Sequence, residues 1–206
     1  MKEAEILKKI TDDLVGNFSC HTIVLYGSRA RGDHSESSDY DILGVTDSTD
    51  KTIRHAYVIA DQYVDGFVYS TQSLMEPDQS HLYMKDGKVL REREGFGTKL
   101  LESLEQIYRK GPSISSDELE MKRVWAQKMI DRAQRGDNEG NYRKHWLIYA
   151  LLEDYFAFRG LWYEGAKKAL EYLKVHDPEV LMQFEAVFAS PHDLLLLQRL
   201  KESIVR

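Results

Sequence analysis

The sequence predicts an α+β chain, with an N-terminal half built on a mixed sheet and a C-terminal helical bundle. Three observations carry this. Short β-branched or aromatic runs, His21–Tyr26, Asp39–Val45 and Tyr63–Tyr69, alternate with helical patterns in the first half. Gly111-Pro112 then stops a helix, because proline lacks the N–H that a continuing helix needs. Beyond that point no strand pattern recurs, and the domains are expected at residues 1–111 and 112–206.

A first helix, about residues 3 to 18, sets Ile6, Ile10 and Leu14 on one side. His21–Tyr26 reads as a buried strand cut off by Gly27. Ser28-Arg29-Ala30-Arg31 opens a short helix, whose free N–H groups and serine hydroxyl point at one volume, as a helix start does when it receives phosphate oxygens. Asp39–Val45 is the second strand. Residues two apart on a strand share a face, so Asp39 and Asp41 project together while Tyr40 and Ile42 take the other side.

Residues 51–69 read as a short helix followed by a third strand, Tyr63–Tyr69, that contains Asp65. Leu82–Arg91 reads as two short strands around Asp86-Gly87, a hairpin signal, and Gly97–Lys110 as a helix. Ser113–Glu118 carries helix-capping residues. Helices follow at Leu119–Arg135, at Tyr142–Arg159 and after Gly160, and Pro178 and Pro191 divide the remainder into two shorter ones.

Two neighbouring anions such as Asp39 and Asp41 repel unless a cation lies between them, and hard oxygen ligands at this spacing favour Mg²⁺ or Mn²⁺. Asp65 offers a third carboxylate, to bind one metal and take the proton of an attacking hydroxyl. Asp61 is the alternative, but it precedes the apolar run instead of sitting inside it. Gly-Ser after a strand is a common turn and Asp-x-Asp a common solvated strand edge. The chemistry rests on both occurring in order with Ala30-Arg31-Gly32 between them. Arg29 and Arg31 either contact phosphate or brace the acidic loop, with Arg31 preferred by its place in the motif.

The string Gly27–Val45 resembles the Gly-Ser, Ala-Arg-Gly, Ser-Asp-x-Asp signature of the DNA polymerase β-like nucleotidyltransferase superfamily. The likeness is to its small bacterial branch, which includes the kanamycin- and streptomycin-type aminoglycoside nucleotidyltransferases with a helical C-terminal domain. The resemblance implies an N-terminal nucleotidyltransferase domain in which Gly27, Ser28 and Arg31 hold the triphosphate and Asp39, Asp41 and Asp65 hold metal, with two Mg²⁺ ions and ATP as donor. It further implies AMP transfer to a hydroxyl of a small molecule, such as an aminoglycoside, or of a protein, with release of pyrophosphate. Some relatives use a helical-domain carboxylate as general base. Glu153 takes that role by analogy, with Asp154 as its alternative, on the apolar helix Trp146–Phe156; a structural salt bridge competes with it. The rival function is a nucleotide-binding, antitoxin-like regulatory partner without small-molecule turnover, which fusion of the helical half in the same chain weakens.

The formal charge of −6, from 28 Lys+Arg against 34 Asp+Glu, argues against general nucleic-acid binding and tolerates a cationic acceptor. A single cysteine, Cys20, excludes an intrachain disulfide and fits a reducing compartment. The charged N-terminus is unlike a signal peptide, and no apolar run approaches the roughly 20 residues of a membrane span, so a cytoplasmic setting is expected. Seven scattered histidines lack the i, i+4 pairing of a zinc helix. The identity of the acceptor and the oligomeric state, a homodimer included, stay open.

Overall fold

The computed structural model describes residues 2–205. They fall into two units, one ending at Lys110 and the other starting at Gly111.

The first unit is a five-stranded mixed sheet with strand order β3-β4-β2-β1-β5. Helix α1 (Glu3–Phe18) leads into β1 (Thr22–Tyr26), the one-turn helix α2 (Gly27–Arg31) and β2 (Tyr40–Thr46). After β3 (Ile53–Ile59) and β4 (Gln62–Ser70) come two 3₁₀ segments, Gln72–Leu74 and Gln79–Met84, then β5 (Lys88–Arg91) and α3 (Phe96–Lys110). β2 pairs in parallel with β4, whereas β1–β2, β1–β5 and β3–β4 are antiparallel.

Strand alternation sorts the apolar side chains onto the two faces. Ile23, Leu25, Tyr40, Ile42, Val64 and Val68 cluster with Ile6, Ile10 and Leu14 of α1. Val24, Tyr26, Leu43 and Val45 meet Met84, Leu100 and Leu104 on the opposite face. Both faces of β1 are therefore covered, which is why all five of its residues are buried, while edge strand β3 alternates half-buried and exposed positions.

Two expectations fail here. No helix forms between residues 51 and 61: Ile53–Ile59 is strand β3, and it turns back into β4 through Ala60 and Asp61, both at positive φ (49° and 61°). Two successive left-handed residues make the tight turn that matches strand twist, and Asn-Gly, its usual sequence mark, is missing. Asp61 is consequently a turn residue. Nor does Leu82–Arg91 form a hairpin. Gln79–Met84 is 3₁₀, and only Lys88–Arg91 is strand, pairing with β1. Gly87 marks close packing: a Cβ there would fall 2.6 Å from a Val24 methyl and 2.9 Å from the Met84 carbonyl oxygen.

The second unit contains α4 (Ser116–Ala133), α5 (Asn138–Phe158), α6 (Ala166–His176), α7 (Pro178–Ala189) and α8 (Leu194–Ile204). Its starts are chemically marked. Ser115 and Glu118 form a reciprocal cap on α4, and Asp137, Asp177 and Asp193 cap α5, α7 and α8. Pro178 occupies the first turn of α7, where its missing N–H costs nothing. Leu147, Leu151, Phe156, Leu173, Phe184, Leu197 and Leu200 form the core. Among the described residues no helix is long and apolar enough to cross a membrane.

Candidate active site

β1 ends at Tyr26, which lies opposite Asp41 in the antiparallel ladder. The next residue, Gly27, has φ +71°, and a Cβ on it would lie 2.0 Å from the Asp41 carboxylate oxygen Oδ2. Glycine is required there twice over, by the left-handed backbone and by the touching carboxylate. The predicted bend and the predicted carboxylate thus abut.

Asp41 is also the register partner of Asp65 across the parallel β2–β4 ladder, so both point to one face at one end of the sheet. Asp39 stands two residues before Asp41. The crowding is visible in protonation: the Asp41 carboxyl is pushed up to about 6, chiefly by burial and then by the Asp39 and Asp65 charges, with Arg31 opposing. Tyr26, buried beside them, is held protonated by burial, then by Asp41 and Asp65.

Asp65 is not a bare ligand. Arg54 on β3 donates Nε–H to its Oδ1 at 3.0 Å. Among the described residues no group of three or more His, Cys, Asp or Glu side chains is spaced to hold a metal ion. The donor chemistry nevertheless suits a hard divalent cation, because carboxylate oxygens are its preferred ligands and the Asp39 and Asp65 charges add to the burial that raises the Asp41 pKa.

The two motif arginines divide the roles that the sequence left open. Arg31 bonds Asp33 at 3.3 Å and its charge acts on Asp41. Arg29 is buried, lies 4.0 Å over the Tyr40 ring, and donates to the carbonyls of Ser38 (2.7 and 2.9 Å) and Asp39 (3.2 Å) and to Gln62 Oε1 (2.8 Å). It braces the segment that delivers Asp39. Other residues near the carboxylates escaped sequence reasoning. The Tyr83 ring packs edge-on to Tyr26 at 5.3 Å, and its hydroxyl lies 3.0 Å from that of Tyr69. No local pattern marks these contacts, which join residues far apart in the chain.

Glu153 lies in the second unit, exposed on α5. Asp154 is buried, bonded to Lys122 Nζ at 2.7 Å, and its pKa is raised by burial against the opposing effect of Lys122. Of the two, Asp154 is the one engaged in an ion pair.

Residues 8–93 match the family model described as Polymerase beta, Nucleotidyltransferase. That span includes the bend and all three carboxylates. No curated protein matches the sequence. Among solved structures, a nucleotidyltransferase-like protein from Exiguobacterium sibiricum 255-15 is similar at 16% identity and a TM-score of 0.48, over 97% of this chain and 74% of that one.

Proposed function

We propose, from the match of residues 8–93 to the nucleotidyltransferase family model, that this chain transfers a nucleoside monophosphate to a hydroxyl group and releases pyrophosphate. AMP from ATP is the donor group, and the acceptor is a small molecule such as an aminoglycoside, or a protein. One observation carries the reading: the Gly27 bend touches the Asp41 carboxylate, which is itself flanked by Asp39 and Asp65.

In this assignment Gly27, Ser28 and Arg31 hold the triphosphate, the backbone at Gly27 being free of a side chain that would block close approach. Asp39, Asp41 and Asp65 would hold two Mg²⁺ ions, which when bound supply charge neutralisation at the attacking and leaving oxygens. The acceptor oxygen bonds to the α-phosphorus as the bond from that phosphorus to the pyrophosphate oxygen breaks. The acceptor proton passes to a carboxylate, for which Asp65 and Glu153 are the proposed groups. Arg29 is assigned a positioning role, because it grips the backbone that carries Asp39.

The full chain is to be incubated with α-labelled ATP, Mg²⁺ and either a panel of aminoglycosides or candidate protein acceptors. Labelled product from the wild type that is absent with Asp39→Asn supports the reading. Tight ATP binding with no product from either acceptor class identifies the regulatory partner instead, and absence of ATP binding overturns both.

A further inference from the structure

We infer that the outer edge of β3 is the interface of a homodimer, pairing antiparallel with the same edge of a second copy about a two-fold axis at Ala56. The two five-stranded sheets then join into one of ten. The inference rests on the first unit alone and is independent of the transfer reaction.

The two edges of the sheet are built differently. β5 is 4 residues long, pairs with β1 through a register shift, and exposes Lys88 and Arg91, all of which discourage a further strand. β3 runs 7 residues in unbroken register with β4 and contains no proline, and among the described residues no strand covers its other side. Its one permanent charge, Arg54, is drawn back to Asp65. Ile59 and Gln62 close the two-residue turn and so exchange both backbone bonds; alternation gives Tyr57, His55 and Ile53 the same role. The N–H and C=O groups of Arg54, Ala56 and Val58 therefore point away from β4, and Val58 is 66% exposed.

This edge is complementary to itself read backwards. An axis at Ala56 sets Ala56 against the partner's Ala56 and Arg54 against the partner's Val58, and each such pair exchanges two backbone bonds. On the face toward α1, Ile53 meets the partner's Ile59 and His55 meets the partner's Tyr57, branched and aromatic pairs of the kind that stabilise a ladder. At the ends, Lys51 meets the partner's Asp61. Both are exposed, and neither has an ion-pair partner among the described residues. Moving the axis to His55 or Tyr57 sets Lys51 against Ile59 or Tyr63 instead, so charge selects the register. An unrelated peptide could satisfy the backbone but not these matched ends, which makes a second copy the fitted partner. Because Ala56 is the register partner of Asp65, the row across the axis runs Asp65, Ala56, the partner's Ala56 and the partner's Asp65. Three strand spacings thus leave the two Asp65 backbones about 14 Å apart, with their carboxylates on one face.

Sedimentation velocity of the full chain, at concentrations up to about 1 mM, reads the dimer. Lys51→Glu and Asp61→Lys each weaken it about tenfold, the contact being made twice across the axis, and the two changes together return it to within about threefold of the wild type. Asp61→Lys reduces the net negative charge, so general repulsion does not account for its effect. Ala56→Cys supplies a second reading that leaves the charges alone. It oxidises to a covalent dimer, because residues opposite each other in a bonded pair stand about 5.5 Å apart. Val58→Cys does not, since the two copies of that residue lie about 14 Å apart along the ladder. Cys20 is buried and stays out of the reaction. A monomer at every concentration, a dimer indifferent to both single variants, no recovery in the combined variant, or cross-linking of Val58→Cys as fast as of Ala56→Cys would overturn the proposal.

Discussion

Replacing Asp41 by asparagine should stabilise the metal-free protein at pH 8 while removing a carboxylate on which the proposed chemistry depends. The Asp41 carboxyl rises from its ordinary 3.8 to about 6, through burial and the Asp39 and Asp65 charges. A rise of about 2 pH units corresponds to roughly 3 kcal/mol against the ionised form in the folded state. Asp41 is only partly buried, and water screening reduces this to about 1.5 kcal/mol. The sign follows from linkage: a carboxyl with a raised folded-state pKa binds its proton more tightly when folded. Its effect is harmless below pH 3.8 and destabilises increasingly as pH climbs through about 6. Asparagine keeps the shape beside Gly27 and cannot ionise. Urea unfolding of wild type and Asp41→Asn, in chelator at pH 3 and pH 8, should give a variant about 1.5 kcal/mol more stable at the higher pH and nearly equal at the lower. Millimolar Mg²⁺ at pH 8 should narrow the gap by stabilising the wild type alone. A variant that is less stable at pH 8, or whose advantage does not change with pH, would refute the idea that three carboxylates crowd one another here.

Gly27→Ala forces a Cβ against Asp41 and a left-handed alanine, so about 2 to 4 kcal/mol of stability should be lost in urea titrations, together with ATP binding. Arg29→Met removes the donors to Ser38, Asp39 and Gln62; a loss of about 2 to 3 kcal/mol is expected, and limited proteolysis should cut the Gly32–Ser38 segment faster than in the wild type. The double change Ala60→Asn with Asp61→Gly places residues suited to positive φ in the β3–β4 turn and should raise stability by about 1 kcal/mol, read as a higher urea midpoint at unchanged slope.

Local chemistry was legible wherever one segment states its own structure. Ile6, Ile10 and Leu14 fixed the face of α1, the apolar run before Gly27 announced β1, and Asp39 and Asp41 lay two apart on an extended stretch. Pro178 marked the start of α7. What escaped depends on partners distant in sequence. The Ala60-Asp61 turn holds its conformation because β3 and β4 zip on either side, without Asn-Gly to advertise it. Lys88–Arg91 is a strand because β1 is there to receive it, and residues 161–165 stay irregular, delaying α6 to Ala166. Within the site, the bend at Gly27 and the paired Asp39 and Asp41 were each legible, but nothing in Ser-Arg-Ala-Arg reveals that Arg29 turns inward. The bond from Arg54 to Asp65 was likewise invisible, since β3 itself had been read as helix.

The shared guanidinium of Arg29 links two parts of the chain that would otherwise fray on their own. The polar segment after Gly32 and the start of the edge hairpin at Gln62 each have few buried apolar neighbours, which is the setting in which amide protons escape protection by small local openings. Because one side chain grips the Ser38 carbonyl and the Gln62 amide together, releasing either end sacrifices contacts at the other. Deuterium uptake in these two stretches should rise and fall in step, a shared breathing rhythm set by a residue that belongs to neither.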